Sequence, residues 1–252
     1  MALITGASSG IGAVFARKLA ARGYDLILLA RREERLVTLA SELPAKTETL
    51  VADLSTEEGI AAAERVIRES TRLELLVNNA GFGTHGRFWE ASIESQQRMH
   101  EVHITATMRL NHAALSAMVP RGRGGVISVS SVAAFGQSPG NVSYCATKAW
   151  INSFTEGLDM ELRGLGSPVK VQALCPGFTR TEFHRALGMD AGKIPAWLWM
   201  NAEDVVATSL SAFDRGDVIV VPGWKYKIGA ALLKHAPHSL KRRAGRPGGS
   251  RV

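Results

Sequence analysis

Tyr144 and Lys148 stand four residues apart in the run Tyr144-Cys145-Ala146-Thr147-Lys148, inside a stretch that reads as helix. Four residues bring two side chains to one helix face, so a phenol and an ammonium can reach the same point. A free tyrosine is a poor acid-base group near neutrality because its ordinary pKa is about 10. A neighbouring ammonium favours the phenolate and is expected to bring that value toward the working range. Thirteen residues upstream, Ser131 closes the β-rich run Gly125 to Ser131 and could set a hydroxyl beside the phenol. Taken alone, the trio also fits a packed tyrosine, a solvated lysine and a serine capping a turn. The elements around it decide.

The first of these elements is a short buried strand, Met1 to Thr5, running into Gly6-Ala7-Ser8-Ser9-Gly10-Ile11-Gly12 and then a helical pattern. A strand, a glycine-rich turn and a helix start make a phosphate site, with backbone amides and the helix dipole facing the anion. Asp25 to Ala30 is the second strand. A fold that holds the ribose hydroxyls of NAD usually places a carboxylate at its end. Here Ala30 stands there, followed by Arg31 and Arg32. A guanidinium fork grips a 2′-phosphate that a carboxylate would repel, so NADPH is the expected cofactor, with NAD(H) as the alternative.

Thr47 to Ala52 is the third strand, and Asp53 and Leu54 at its end are placed to meet an adenine edge. Leu73 to Val77 is the fourth, ending in Asn78-Asn79-Ala80-Gly81, where small residues let a flat ring approach the backbone. A long helix is expected from about Ser92 to Met118, a fifth strand over Gly125 to Ser131, and a sixth from Val169 to Leu174 ending in Cys175-Pro176-Gly177. Ile151, Phe154, Leu158 and Leu162 on the Tyr144 helix form a stripe for burial or for a subunit interface. Strands and helices alternate throughout. This predicts an α/β fold: one doubly wound, Rossmann-type domain with a mainly parallel sheet and ligands at the carboxyl ends of its strands.

The 252 residues, 46% hydrophobic and 21% charged, suit one large globular domain. Cys145 and Cys175 are the only cysteines, which gives neither a disulfide framework nor a metal cluster; no metal site is expected. A reduced, cytoplasmic setting is the expectation, and neither a signal peptide nor a membrane span is read. The net charge of +7 is local: Lys225 to Val252 holds eight Lys/Arg and no acidic residue, leaving the remainder at about −1. The expected division is a catalytic domain over 1–223, with a substrate lid at about 178–201, and a basic tail over 224–252.

With these residues in place, the chain resembles the short-chain dehydrogenase/reductase family from Met1 to roughly Val221. Thr5 to Gly12 matches the family's cofactor turn, and Asn78 to Gly81 its adenine-side motif. Ser131, Tyr144 and Lys148 fall on its catalytic serine, tyrosine and lysine; Pro176-Gly177 with Thr179 and Thr181 match the segment bordering the nicotinamide. The resemblance implies hydride transfer between a nicotinamide and a carbonyl or alcohol carbon, and an assembly of two or four copies. It implies that Tyr144 exchanges the proton, Ser131 stabilises the oxygen, and Lys148 lowers the tyrosine pKa and binds ribose hydroxyls. One departure is His103, in Glu101 to Ala106, where the family carries an asparagine that holds a proton-relay water. The histidine is either a relay with its own pH dependence near 6.5 or a satisfied helix residue.

Phe183, Leu187, Met189, Trp197, Leu198, Trp199 and Met200 make the expected lid apolar and point to an apolar carbonyl or alcohol substrate. A non-catalytic NADP(H)-binding regulatory or scaffold protein is the competing reading, disfavoured because the tyrosine, lysine and serine are all present. Tyr226, Ile228, Leu232 and Leu233 with flanking lysines fit a basic amphipathic helix on an anionic membrane. A helix packed on the body, followed by a disordered end, is the preferred alternative. No recognition motif accompanies the charge, so nucleic acid is not an expected partner.

Overall fold

The computed structural model describes residues 1–84, 86–183 and 194–235. Seven parallel strands form one sheet in the order β3-β2-β1-β4-β5-β6-β7. They are β1 (Ala2–Thr5), β2 (Leu26–Ala30), β3 (Thr47–Val51), β4 (Leu75–Asn78), β5 (Gly125–Val129), β6 (Lys170–Leu174) and β7 (Ile219–Val220). Six of them lie within two residues of where the apolar runs put them. The seventh leaves no signal in the sequence, since two residues are too few to show a period.

Between the strands run α1 (Gly10–Ala21), α2 (Glu33–Glu42), α3 (Glu57–Glu69), α4 (Ile93–His100), α5 (Thr107–Arg121), α6 (Val142–Gly164) and α7 (Ala202–Arg215); α8 (Trp224–His235) follows β7. Each central strand is apolar on both faces because helices cover both, which a parallel sheet requires. Alternate residues divide between two cores. Ile4, Leu28, Val77 and Ile127 face the side of α1, α2 and α7. Leu3, Ile27, Leu76 and Val126 face the side of α3, α5 and α6.

The long helix expected from Ser92 is not uniform. Glu101–Ala106 is π-helical, between α4 and α5. One widened turn of this kind shifts the side chains that follow it and is common at functional sites. Of the stripe on α6, Ile151 and Leu162 are buried, Leu158 packs against the second core, and Phe154 stacks on Trp150 with ring centroids 4.6 Å apart. Of the anticipated lid residues, Leu187 and Met189 lie outside the described residues, as do the tail charges of Lys241, Arg242, Arg243, Arg246 and Arg251.

Strand order reverses between β1 and β4, which are neighbours with crossovers leaving in opposite directions. Loops that leave a doubly wound sheet at such a point diverge and open a crevice at the carboxyl ends. That crevice is the candidate site.

Candidate active site

A cleft of about 970 Å³ runs across the carboxyl ends of the strands. Of the residues read from the sequence as catalytic or cofactor-binding, every one except Gly12 lines it.

The floor is the glycine turn. Gly6 and Gly10 have φ of +64° and +56°, the left-handed region that a Cβ makes costly. Ser9 precedes α1 but makes no side-chain capping bond. Asn79 braces the turn from β4: its Nδ2 donates to the carbonyls of Thr5 at 2.9 Å and Gly6 at 3.2 Å. The amides of Asn79 and Ala80 both donate to Thr5 Oγ1 at 2.9 Å. Gly12 stands behind this brace. A Cβ there would lie 2.4 Å from the Gly6 carbonyl oxygen and 2.5 Å from Asn79 Nδ2, so its glycine serves close packing rather than ligand contact.

At one end of the cleft stand the arginines. Arg32 donates to Ser8 Oγ at 3.0 Å and Ser9 Oγ at 2.9 Å, which sets its guanidinium over the glycine turn. Arg31 faces Asp53 at 3.6 Å. Burial opposes ionisation of Asp53, but bonds from the Ser55 amide and hydroxyl and the charge of Arg31 hold its carboxyl below the usual range. Glu182 receives Arg32 at 3.1 Å and Arg35 at 2.7 Å, and those two arginines hold its carboxyl below the usual range. The sequence reading missed Arg35. Its spacing of three from Arg32, one turn on at the start of α2, was the available signal.

At the other end stand Ser131, Tyr144 and Lys148. Ser131 does cap a turn: its Oγ accepts from the Ala133 amide at 3.1 Å. That bond uses a lone pair and leaves the O–H to donate, and the Ser131 hydroxyl favours the ionised form of the Tyr144 phenol. Lys148 is buried rather than solvated, and its Nζ donates to the Val129 carbonyl at 2.9 Å. The ammonium lies 5.7 Å from the Tyr144 ring centroid.

The expected lowering of the phenol does not appear among the protein's own groups. Burial pushes Tyr144 up to about 12, with the Ser131 hydroxyl working the other way. Burial pulls Lys148 down to about 7. Lys148 spends its ammonium on the Val129 carbonyl, and its charge does not outweigh the burial of the phenol.

A stability test follows from Lys148. In the folded chain it protonates near 7, against 10.5 ordinarily, so between those values the unfolded chain binds more protons. Stability therefore rises with pH in that window. Urea unfolding should show it climbing between pH 7 and about 8.5, by up to about 1.4 kcal/mol per unit. Above that, thiols raised by burial act in the opposite sense. The N-terminal amine, lowered mainly by burial, adds to the same slope. Lys148→Met isolates the lysine: it should flatten the profile, and an unchanged slope would refute the assignment.

His103 projects from the π-helical turn and is fully enclosed. Its Nε2 accepts from the Phe82 amide at 3.2 Å, so the ring proton belongs on Nδ1, 2.9 Å from Thr147 Oγ1. Thr147 in turn donates to the Tyr144 carbonyl at 2.9 Å. Burial, with Lys148 nearby, holds His103 well below its ordinary value. Both nitrogens are thus satisfied by the protein. The geometry fits a neutral tie between the Phe82 loop and α6, and a titration near 6.5 is not expected of it.

The segment after β6 closes the fourth side. The Val132 amide donates to the Pro176 carbonyl at 3.0 Å, and Thr179 Oγ1 donates to the Gly177 carbonyl at 3.0 Å. Thr181 approaches so near Gly10 that a Cβ there would meet it at 3.2 Å. Tyr226 of α8 locks the segment, accepting from the Phe178 amide at 3.0 Å and donating to the Leu198 carbonyl at 2.6 Å. Phe82, Phe178, Phe183 and Leu233 give this end an apolar wall.

The family model for short chain dehydrogenases matches residues 1–191. The chain belongs to the short-chain dehydrogenase/reductase family. It is an oxidoreductase of CH–OH and C=O groups that works with a nicotinamide cofactor. A short-chain dehydrogenase from Sphingobium yanoikuyae, solved in complex with NADPH, superposes with a TM-score of 0.85 at 34% identity, covering 100% of this chain and 98% of that one. The bulky-bulky ketone specific alcohol dehydrogenase from Comamonas testosteroni superposes at 0.81 with 30% identity, covering 100% and 96%. An uncharacterized oxidoreductase from Myxococcus xanthus is 32% identical over 243 residues, 95% of this chain and 93% of its own length.

The residues present fit a dinucleotide. The glycine turn is a cradle that a Cβ at Gly6 or Gly10 would strain, and cationic side chains stand at one end of the cleft with the phenol at the other. Among the described residues no helix is long and apolar enough to cross a membrane, and no cluster suits a metal ion.

Proposed function

We propose that this short-chain dehydrogenase reduces an apolar carbonyl compound with NADPH, or runs the reverse oxidation, with Ser131, Tyr144 and Lys148 as its catalytic residues. The observation that carries the reading is the joining of the three side chains to the arginine-flanked glycine turn by one continuous cleft. The bound cofactor supplies the hydride. Tyr144 gives its proton to the carbonyl oxygen. Its raised pKa keeps the phenol protonated through the neutral range, as a donor must be. The Ser131 O–H stabilises the charge growing on that oxygen. Lys148 orients the ribose and supports the phenol. The apolar wall and the ketone specificity of the Comamonas testosteroni relative support an apolar substrate.

Ala30 at the end of β2, Arg32 over the turn and the NADPH of the Sphingobium yanoikuyae relative support the choice of cofactor. Arg32→Ala is expected to weaken NADPH binding by roughly 1–3 kcal/mol, the scale of a hydrogen bond to a charged group. NADH affinity should stay nearly constant. Glu182→Gln should act oppositely, because its carboxylate shares Arg32 and Arg35 and repels a nearby phosphate. Calorimetric titration with both cofactors decides, and equal wild-type affinities would contradict the preference. The reading as a whole is tested by following NADPH and NADH oxidation across a panel of ketones and aldehydes graded by bulk. Absence of turnover with every compound would favour the non-catalytic alternative.

Two unpaired, buried cysteines support a reduced, cytoplasmic setting. Exposed Met108 on α5 and Val142 and Met160 on α6 support assembly into a homodimer or homotetramer. The division at 223/224, with a lid over 178–201, is kept as part of the proposal.

A further inference from the structure

The last described helix is apolar on two sides. The inner side of α8 is engaged: Tyr226 makes the two bonds that fasten the segment after β6, Ala230 is buried, and Leu233 lies against Gly136 and lines the cleft. The outer side carries Trp224, Ile228 and Leu232, which are 68%, 53% and 68% exposed. Their spacing of four residues makes them one stripe along the helix. Trp197, 62% exposed, extends it sideways. The Lys225 ammonium joins the two indoles, 4.8 Å from the Trp197 ring centroid and 5.7 Å from that of Trp224.

Lysines border the stripe on both sides. At about 100° per residue, Lys225 falls on one edge and Lys227 on the other, while Lys234, further round the helix, faces Glu156 of α6 at 4.0 Å. From Trp224 to Val252 the chain has eight Lys/Arg and no Asp or Glu, while the rest is close to neutral. Exposed indoles and aliphatic side chains between long amines suit the boundary of a bilayer. There the rings lie at headgroup depth and the lysine stems reach outward to phosphates.

We propose that the outer face of α8, with Trp197 beside it, docks on an anionic lipid membrane. Charge separates this partner from a second copy of the chain, since two such faces would set lysines against lysines. The 17 residues that follow His235 are outside the described part of the structure, but their sequence adds five further positive charges. Those charges raise the attraction to an anionic surface. The inference stands apart from the choice of substrate, because membrane binding is read without turnover.

Co-sedimentation of the full chain with vesicles of phosphatidylcholine alone, or of phosphatidylcholine mixed with phosphatidylglycerol, tests it. Binding to the mixed vesicles only, weakening as salt is raised, is expected. Lys225→Gln with Lys227→Gln should lower the partition coefficient by about 30-fold, at about fivefold for each charge near the surface. The triple variant Trp224→Ser, Ile228→Ser, Leu232→Ser should lose nearly all binding and keep the wild-type melting temperature, since these side chains are exposed. A chain ending at His235 should bind more weakly yet still shift its tryptophan emission to the blue on the mixed vesicles. No association of the full chain with either vesicle overturns the proposal. Loss of all binding on removal of residues 236–252, with the triple variant unaffected, also overturns it, because the face would then be idle. If light scattering shows a dimer that the triple variant dissolves, the face belongs to a second copy and the proposal fails.

Discussion

Tyr144→Phe is expected to lower turnover by on the order of 10² to 10⁴-fold, the usual contribution of a positioned general acid. The substitution removes one oxygen and keeps the ring, whose neighbours are the rings of His103 and Phe183, each with centroids 5.9 Å away. Folding and cofactor affinity should therefore change little. Single-turnover measurement with saturating cofactor separates the chemical step from binding. The wild-type enzyme carries a companion expectation. With the phenol raised to about 12 by burial, carbonyl reduction should hold its rate across neutral pH, because it needs the protonated form. Alcohol oxidation needs the phenolate and should keep climbing as pH rises. A folded Tyr144→Phe enzyme with near-normal turnover would remove Tyr144 from the chemistry.

Gly12→Ala is expected to abolish detectable cofactor binding, NADPH and NADH alike, and to lower the melting temperature. The added methyl would sit 2.4 Å from the Gly6 carbonyl and 2.5 Å from Asn79 Nδ2, which is inside contact distance for any pair of heavy atoms. Neither neighbour is free to move. Asn79 Nδ2 already serves two carbonyls, and Gly6 is held in a left-handed turn. Overpacking of this sort costs about 1–3 kcal/mol in stability, and the displaced turn no longer presents its amides to a phosphate. Gly157→Ala in α6 is the control. Nothing lies within 4 Å of its added Cβ, so it should stabilise the helix by roughly 0.5–1 kcal/mol. Calorimetry on both variants tests the pair of expectations, and wild-type affinity in Gly12→Ala would mean that the turn tolerates the methyl.

Much of this molecule was legible in the sequence because its signals are local. A strand covered on both faces is a short apolar run, and a phosphate turn is a cluster of glycines. What could not be read are facts about surroundings. The spacing of Tyr144 and Lys148 predicted their shared face but not the Val129 carbonyl that takes the ammonium, nor the burial that moves the phenol upward. His103 was visible as an odd residue. Its state depends on the Phe82 amide and Thr147, which lie 21 residues before it and 44 after it. Gly12 looked like one more cradle glycine, and only the approach of Asn79 shows that it faces away from the cleft. Glu182 and Arg35 are 147 residues apart, so no window along the chain contains their contact.

The strand order has a consequence for how the chain reaches this structure. β1 is flanked by β2 and β4, and β4 begins 73 residues further along. All pairs in the sheet are parallel, so no two strands are joined by a hairpin. Every pairing must wait for a crossover to be closed, and the entropy of closing long loops is lost before the contacts repay it. A chain emerging from synthesis thus makes β1 well before β4 and must leave one edge of that strand bare until β4 appears. Ala2 to Thr5, wholly apolar up to its last residue, is then the segment with most to gain from early cover by α1 and β2. Refolding should accordingly be slow for a protein of this size, and the bare edge of β1 is where premature association between chains would begin.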